Sequence, residues 1–288
     1  MNLENSAVVV TGAGSGIGFG IANALTSRRC KIIIADINYE SAVAAAEKLS
    51  SSGSQIYPVQ CDVSNYESVE NLAEIAWTKF GSVNAIFNNA GVASSKPIID
   101  TDPREVDWML NVNFKGVWNG CSVFGKRFVA EETPACIAIT ASEHALGTPH
   151  PGIGIYTATK HAILGMADVL RHELPKFIHL SITFPGVVQT RLYEATRNSP
   201  VGPSSEEQIQ FFKQVMSHGM NPLEIGSRAV KGVEDGTFMV MTHPHVHDIA
   251  LSRWQQIAKA IEEAPSVMDA EQYEAEAIMA KVMKNLNP

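Results

Sequence analysis

The sequence lacks the features shared by membrane proteins, nucleic-acid-binding proteins and disulfide-rich secreted proteins. No apolar run approaches the roughly 18 residues that a membrane span requires. A formal charge of −8, from 22 basic and 30 acidic residues without a basic cluster, disfavours nucleic acid as a partner. The four cysteines show no CxxC spacing, which predicts reduced, buried thiols. The opening MNLEN lacks the basic-then-apolar layout of a secretion signal, so we expect a cytoplasmic protein that binds neither nucleic acid nor membrane.

The sequence does contain a regular alternation of strand-like and helix-like segments. Short runs rich in β-branched residues predict strands at residues 7–11, 31–36, 55–60, 85–88, 136–140, 179–184 and 238–242. Helical spacing fills the stretches between them, and no linker-like break interrupts the alternation. Repeated strand–helix units predict a doubly wound, Rossmann-type α/β fold, with a mostly parallel seven-stranded sheet and helices on both faces. We predict one domain over residues 1–288.

A glycine-rich turn, TGAGSGIG at residues 11–18, follows the first predicted strand. Its four glycines place no side chain where the backbone must approach a pyrophosphate. The helix predicted at about 17–28 points its N-terminal N–H groups at the phosphates. The turn therefore indicates a dinucleotide-binding site.

An acidic residue occupies the end of the second predicted strand. Asp36 lies 24 residues after Gly12, close to the spacing of an acid that accepts hydrogen bonds from the adenosine ribose hydroxyls. Its carboxylate would repel the 2′-phosphate of NADP, and no Lys or Arg lies in the glycine turn or beside Asp36. The alternative is that Asp36 is only an exposed turn residue at the end of a strand. We predict NAD as the cofactor.

Tyr156 and Lys160 lie four residues apart in a segment with helical character. Residues at that spacing share a helix face, so the ammonium group is expected beside the phenol, lowering its pKa from about 10. Such a tyrosine can exchange a proton at neutral pH. With a dinucleotide that carries hydride, the pair predicts interconversion of an alcohol and a ketone.

Five further motifs accompany the glycine turn and the Tyr–Lys pair. They are Asp62-Val63, Asn88-Asn89-Ala90-Gly91, Asn113 within VNFKG, Ser142 at the end of the fifth predicted strand, and PGVVQT at residues 185–190. Their order and spacing resemble the short-chain dehydrogenase/reductase family, in its single-domain branch, over about the first two-thirds of the chain. Because the likeness is distributed along the chain, it is more specific than any one motif.

The resemblance implies a role for each motif residue. Ser142 would donate a hydrogen bond to the substrate oxygen and Tyr156 would transfer the proton. Lys160 would lower the tyrosine pKa and hold the ribose of the nicotinamide half, and Asn113 would hold a water that links Lys160 to solvent. The residues that the resemblance places against the cofactor are Gly12, Ser15, Gly16, Ile17, Gly18, Asp36, Asp62, Val63, Asn89, Ala90, Gly91, Tyr156, Lys160, Val188 and Thr190.

Two departures from the family pattern concern the substrate side. Ser142 and Tyr156 are 14 residues apart, one more than the family spacing, which predicts an insertion within residues 147–155. Glu143 and His144 follow the serine where small residues are usual. Neither change removes a catalytic group, and we expect both to alter the shape and polarity of the substrate side.

A segment after the last motif is predicted to cover the substrate. Residues 191–220 leave the sheet and return, with a helix from about 204 to 217, and the resemblance makes this segment a substrate lid. Its apolar residues either face a hydrophobic ligand or pack the helix onto the body, and the sequence leaves both open.

Three histidines alternate in His243-Pro244-His245-Val246-His247. Alternate residues of a strand share a face, so three imidazoles are a possible metal site. Pro244 argues against a regular strand, and no carboxylate or cysteine partner is obvious apart from Asp248. We predict no metal here, and a loop near the pocket mouth.

The substrate prediction rests on a weaker likeness. Residues 232–243 and the helical extension predicted at about 247–288 are similar to bacterial dehydrogenases that oxidise the benzylic alcohol of lignin-type aryl ethers. That likeness favours a bulky aromatic or hydrophobic alcohol or ketone. The extension either caps the pocket or joins a neighbouring subunit, and we expect a homodimer or homotetramer.

Two other functions stay open at this stage. A reductase of a small carbonyl metabolite, a sugar or a steroid is the first, and Arg191, Arg197 and Lys213 are candidate anchors for an anionic substrate. A non-catalytic dinucleotide sensor is the second, although such a protein would be expected to have lost Ser142, Tyr156 or Lys160.

Overall fold

Seven parallel strands form the sheet around which the chain folds. In this computed structural model, which describes residues 1–50, 53–147, 150–265 and 270–286, the strands are β1 (Ala7–Thr11), β2 (Lys31–Asp36), β3 (Ile56–Gln60), β4 (Ala85–Asn88), β5 (Ala135–Thr140), β6 (Ile178–Phe184) and β7 (Met239–Met241). Their order is β3-β2-β1-β4-β5-β6-β7, and every neighbouring pair is parallel. The order reverses between β1 and β4, which opens a crevice at the carboxyl ends of these strands.

Helices connect the strands. They are α1 (Gly16–Thr26), α2 (Tyr39–Leu49), α3 (Tyr66–Phe80), α4 (Pro103–Met109), α5 (Gly116–Glu131), α6 (Gly154–Glu173), α7 (Glu206–Ser217), α8 (Pro222–Glu234), α9 (Val246–Glu262) and α10 (Ala275–Leu286). A π-helical segment, Leu110–Lys115, joins α4 to α5. None of the helices in the described part of the chain combines the length and apolar character needed to cross a bilayer.

Each face of the sheet has its own core. Val9 of β1 belongs to one buried cluster with Phe124 and Phe128 of α5, whereas its neighbour Val8 belongs to the other with Ile21 of α1. Successive side chains of a strand point to opposite faces, and both faces are covered by helices. This arrangement explains why the strands read as unbroken apolar runs. Phe124 and Phe128 are fully buried, and truncating such a side chain to Ala costs about 3–5 kcal/mol.

The predicted fold class is confirmed. β1, β2 and β4 have the predicted bounds, and β3, β5 and β6 differ from them by one residue. β7 is shorter than the predicted 238–242, because it pairs with β6 over only three residues at the sheet edge.

The cysteines are buried and free, as predicted. Burial raises the pKa of Cys30 and Cys61 to about 11, and that of Cys121 and Cys136 to about 12. Their thiols are therefore protonated and unreactive at neutral pH.

Candidate active site

The carboxyl ends of four neighbouring strands bring the sequence motifs together. The glycine turn follows β1, Asn89 follows β4, Ser142 follows β5 and Pro185 follows β6. Since parallel strands end at the same edge of a sheet, these residues surround one crevice at the point where the strand order reverses.

The glycine turn packs closely against the loop after β4. Gly12 has a φ of +62°, and a Cβ at this position would stand 2.7 Å from Ala90 Cα. Any other residue would therefore be strained and would push the two loops apart. The turn is also tied to β2, because the Gly14 N–H donates to Asp36 Oδ2 at 3.0 Å and the Asn38 N–H donates to Asp36 Oδ1 at 3.0 Å. The Asp36 carboxylate is thus held in a fixed orientation beside the turn.

The first turn of α1 faces the same crevice. Ser15 precedes the helix and makes no side-chain cap hydrogen bond, and no acidic residue lies in the first turn. A Cβ on Gly16 would stand 3.1 Å from Thr190 Cγ2, so the start of α1 lies against the loop after β6. Thr190 also hydrogen bonds to Met216 Sδ of α7 at 3.6 Å, which connects this loop to the predicted lid.

Asn89 joins the ends of three strands. Its Nδ2 donates to Thr11 O at 3.0 Å, and its Oδ1 accepts from Thr140 Oγ1 at 3.1 Å. The Thr11 hydroxyl oxygen accepts from the N–H groups of Asn89 and Ala90 at 3.0 and 3.1 Å. The side chain of Asn89 therefore holds the crevice together, and its contact with a cofactor stays a prediction.

Asp62 and Val63 lie just beyond β3. The Asp62 carboxylate accepts a hydrogen bond from the Ser64 hydroxyl at 2.7 Å. Val63 packs so closely against the start of α5 that a Cβ on Gly116 would stand 2.7 Å from Val63 Cγ2. Asn119 of α5 donates to Val63 O at 2.7 Å. These contacts fix the loop after β3, while its approach to an adenine stays a prediction.

Asn113 is fully buried in the π-helical segment, an irregularity common at functional sites. Its side chain accepts from the Val92 N–H at 2.8 Å and donates to Val92 O at 2.9 Å and to Thr159 Oγ1 at 3.1 Å. A Cβ on Gly91 would stand 3.3 Å from Asn113 Oδ1 and 3.7 Å from Lys160 Nζ. Asn113, Gly91 and Lys160 are therefore neighbours, and the predicted water is not tested by this geometry.

Ser142, Tyr156 and Lys160 form one group. Ser142 is buried and hydrogen bonds to the Tyr156 side chain. Tyr156 and Lys160 share one face of α6, and Lys160 Nζ lies 5.5 Å from the centre of the tyrosine ring. The same Nζ donates to Thr140 O at 3.2 Å. The sequence order and spacing thus predicted a group that the fold does bring together.

The electrostatics of this group differ from the prediction. Burial raises the pKa of Tyr156 to about 12; the Ser142 hydrogen bond lowers it and the negative charge of Glu143 raises it. Burial also lowers the pKa of Lys160 to about 8. The prediction that Lys160 brings the tyrosine pKa below 10 is wrong in this arrangement, because removal of the phenol from water dominates the pKa of Tyr156.

Glu143 and His144 are both buried beside this group. The His144 ring packs edge-on against the Tyr156 ring at 5.4 Å, and lies 5.3 Å from the ring of His150. Burial, with His150, His161 and Lys160 nearby, lowers the pKa of His144 to about 4. The two residues that depart from the family pattern therefore flank the tyrosine, and their effect on the substrate side stays a prediction. His150 lies within the predicted insertion at residues 147–155, of which residues 148 and 149 lie outside the described residues.

Each of the three alternating histidines contacts a different partner. One of these partners, Glu143, was not predicted from the sequence. His243 Nδ1 accepts from the Gly186 N–H at 3.0 Å, and its Nε2 donates to Val187 O at 3.3 Å. His245 Nε2 donates to Glu143 Oε2 at 2.8 Å, and His247 contacts Asp248. His243 and His245 thus hold the loops after β6 and β5. Only Asp248 was an obvious carboxylate partner in the sequence, but the fold also brings Glu143, 102 residues before His245, next to that histidine.

The predicted lid contains a 3-10 turn, Leu192–Asn198, and α7. Gln208 of α7 donates to Ser95 O at 3.4 Å across the crevice. Arg191 and Arg197 lie 3.8 and 3.2 Å from the same carboxylate oxygen of Glu194, which offsets one of their two positive charges. Lys213 lines a pocket of about 300 Å³ together with residues that include Thr190, Tyr193 and Met216.

Comparisons with known proteins agree with this geometry. The family model described as short chain dehydrogenase matches residues 6–200. The chain belongs to the short-chain dehydrogenase family. A relative within the family, the C alpha-dehydrogenase of Sphingobium sp. strain SYK-6, is 28% identical over 287 residues, which are 97% of this chain and 94% of the relative.

Solved structures of short-chain dehydrogenases superpose closely. A Burkholderia phymatum member in complex with NAD has a TM-score of 0.85 and 28% identity, covering 93% of this chain and 99% of that chain. The apo form of LigO from Sphingobium sp. strain SYK-6 has a TM-score of 0.78 and 27% identity, covering 99% and 97%. The chain is therefore an oxidoreductase of this family.

The short-chain dehydrogenase family is dinucleotide-dependent, and the crevice fits such a cofactor. The glycine turn presents backbone without side chains, and the first N–H groups of a helix lack intrahelical partners and suit a phosphate. Asp36 adds a carboxylate beside the turn, held there by the hydrogen bond from the Gly14 N–H.

Proposed function

We propose that this chain is an NAD-dependent dehydrogenase that interconverts a secondary alcohol and a ketone. The observation that carries the proposal is the group formed by Ser142, Tyr156 and Lys160 at the carboxyl edge of the sheet, next to a glycine turn tied to Asp36. This reaction requires a group that transfers a proton and a site that binds a dinucleotide.

The cofactor site is proposed to be made by the glycine turn, the start of α1 and the loops after β2, β3, β4 and β6. NAD would supply the acceptor for hydride, and the protein supplies its orientation. The Asp36 carboxylate would accept from the ribose hydroxyls of NAD and repel the 2′-phosphate of NADP. The Burkholderia phymatum relative, crystallised with NAD, supports this choice.

Ser142 and Tyr156 are proposed to act on the reacting oxygen. Ser142 would donate a hydrogen bond to that oxygen as negative charge develops, and Tyr156 would give a proton to it or take one from it. With a pKa of about 12, Tyr156 is protonated at neutral pH, which is the form that protonates a ketone oxygen. Alcohol oxidation needs the opposite transfer, so its rate is expected to rise with pH. We propose a reversible reaction, with oxidation as the physiological direction.

Lys160 and Asn113 are proposed to support the proton transfer. Lys160 is mostly an ammonium ion at pH 7, since its pKa of about 8 lies above that pH. It would hold the ribose hydroxyls, and Asn113, fixed by Val92 and Thr159, would hold a water on the path from Lys160 to solvent.

The substrate is proposed to be a bulky aromatic or hydrophobic alcohol. The Sphingobium C alpha-dehydrogenase and LigO cover nearly the whole chain, including the extension after β7. The lid presents Phe211, 60% exposed, and Phe212, packed edge-on against it at 5.2 Å.

The first test measures the absorbance of NADH after the purified protein and NAD are mixed, in separate assays, with aryl carbinols, aliphatic alcohols, steroids and sugars. We expect a signal concentrated on bulky aryl carbinols. A signal confined to sugars or steroids would discard the aromatic substrate and leave the reaction class standing.

Replacing Tyr156 by Phe tests the catalytic assignment. The phenylalanine keeps the ring and removes the proton, so turnover should fall by roughly 10²–10⁴-fold while NADH binding, measured by fluorescence, is retained. Unchanged turnover would remove Tyr156 from the mechanism. Binding of NADH by the native protein without turnover on any substrate would favour the sensor alternative.

A further inference from the structure

A second cluster of chemically active side chains lies beside the Ser–Tyr–Lys group. Glu143, His144 and His150 each offer one atom that can ligate a metal, and these atoms all lie within 4.8 Å of one another. Glu143 and His144 are buried and His150 is exposed. The proposed hydride transfer assigns no role to this cluster.

The hydrogen bonds of His144 fix which of its nitrogens can bind a cation. Thr157 Oγ1 donates its proton to Ile153 O at 2.9 Å, so it must accept from His144 Nδ1–H, 2.8 Å away. The proton of the neutral ring is therefore on Nδ1, and Nε2 carries a lone pair. This tautomer, with one nitrogen donating to an oxygen, is the state in which histidines ligate metals.

Glu143 is oriented in a similar way. The His245 Nε2–H donates to Glu143 Oε2 at 2.8 Å, and the backbone N–H of Glu143 donates to Pro185 O at 2.9 Å. Metal-ligating carboxylates are usually held by such an outer hydrogen bond. Both buried members of the cluster are thus positioned by other side chains, while the exposed His150 can adjust.

We propose that Glu143, His144 and His150 bind a divalent transition-metal ion of the zinc class. Two imidazoles and a carboxylate are a common ligand set for Zn²⁺, with the fourth position left to water. Bonds of about 2.0–2.2 Å bring ligand atoms to about 3.4 Å from one another, so closure from separations of up to 4.8 Å requires a shift of up to about 1.4 Å. The exposed His150 side chain can make that shift.

This site differs from the metal site considered in the sequence. His243, His245 and His247 contact three different partners, and the cluster takes its histidines from the 3-10 turn after β5 and from the segment before α6. His245 enters only as the group that orients Glu143. The inference departs from the sequence-based prediction that the chain has no metal site, and it does not depend on the proposed hydride transfer.

The experiment uses the full-length, tag-free protein after treatment with a chelator. Co²⁺ is titrated while visible absorption is recorded, and the affinity for Zn²⁺ is measured by competition with a chromophoric chelator. We expect ligand-field bands of a four-coordinate Co²⁺ site that saturate at one ion per chain and disappear when Zn²⁺ is added.

Three variants locate the ion. His150→Ala, at an exposed position, should weaken Zn²⁺ binding by roughly 10-fold or more, and Thr157→Val, which removes the acceptor of His144 Nδ1–H, should weaken it by roughly 10–100-fold. His247→Ala is the matched control, because His247 is exposed and contacts Asp248 instead of the cluster. This variant should bind like the native protein.

Several outcomes would overturn the proposal. Absence of saturable Co²⁺ bands would do so, as would native affinity in His150→Ala. Thiolate charge-transfer bands would assign the ion to a cysteine, and equal losses in His247→Ala and His150→Ala would assign it to the protein surface. Circular dichroism of each variant confirms that the loss is not due to unfolding.

Discussion

Lys160 carries an ammonium group into the interior of the protein, where it is 4% exposed and donates to Thr140 O. Burial lowers its pKa from 10.5 to about 8, which corresponds to a cost of about 3 kcal/mol at neutral pH. Functional sites commonly hold groups that destabilise the fold. Here the cost falls on the residue proposed to hold the ribose.

Replacing Lys160 by Met should therefore stabilise the protein while abolishing turnover. The folded pKa is depressed, so the unfolded chain binds more protons between pH 8 and 10.5 and native stability rises with pH in that window. We expect a gain of about 1–3 kcal/mol in the free energy of unfolding at pH 7, mostly lost by pH 10. Urea unfolding at both pH values measures it, with the exposed Lys176→Met as control. A loss of stability at pH 7 would contradict the stated cost.

Asp36 should decide the choice between the two dinucleotides. Asp36→Ala removes the carboxylate that Gly14 and Asn38 orient, together with its repulsion of a 2′-phosphate. We expect the preference for NAD over NADP, measured as the ratio of kcat/KM values, to fall by roughly 10-fold, or 1.4 kcal/mol. The exposed Asp235→Ala serves as control. An unaltered ratio in Asp36→Ala would remove this residue from the site.

At the scale of elements, the segment between β7 and α9 supports the loops after β5 and β6. Burial lowers the pKa of His243, which keeps the ring neutral and its Nδ1 an acceptor for the Gly186 N–H. The loop that begins at Gly186 also contains Thr190, which lies against the start of α1. His243 is thus a positioning residue for a loop of the proposed cofactor site.

His243→Ala should weaken NADH binding, because the Gly186 N–H loses its acceptor and the loop loses a second bond at Val187. A loss of about 1–2 kcal/mol predicts a roughly 5–30-fold higher Kd, read from NADH fluorescence. His243→Asn offers Oδ1 as a replacement acceptor and should recover most of the affinity, whereas His247→Ala should leave it unchanged. Native affinity in His243→Ala would show that NADH binding does not need the hydrogen bonds between His243 and this loop.

The sequence predicted those parts of the fold that depend on local pattern. Continuous apolar runs located the strands because both faces of the sheet are buried, and family motifs located Ser142, Tyr156 and Lys160. Contacts between distant residues left no local pattern, so the bond between His245 and Glu143 was missed. The pKa of Tyr156 was mispredicted for a related reason, since four-residue spacing indicates which groups are neighbours but not how far burial removes them from water.

On the scale of the whole molecule, the last helices differ from the rest. α9 has one buried residue, Val246, and the described side chains of α10 are all exposed. α10 presents an apolar stripe formed by Ile278, Met279, Val282 and Met283. Stripes of this kind mark interaction sites, and we propose that this one contributes to a homodimer or homotetramer.

Removing residues 266–288 should leave the sheet and its site intact, because the described part of this segment is exposed. We expect an unchanged Kd for NADH and a smaller particle mass by light scattering, since the apolar stripe is lost. The full-length double variant Ile278→Glu/Val282→Glu should reduce the mass in the same way. An unchanged mass in both proteins would exclude α10 from the assembly.

The hydrogen bonds from His243 and His245 to the loops after β6 and β5 also bear on the order in which parts of the protein form during synthesis. The glycine turn and Asp36 are among the first residues to leave the ribosome, and they are tied to each other by a hydrogen bond from Gly14. The loops after β5 and β6 must wait for His245 and His243, which emerge more than 50 residues after Gly186. A growing chain can therefore form the proposed dinucleotide-binding turn well before the loops after β5 and β6 are fixed in place.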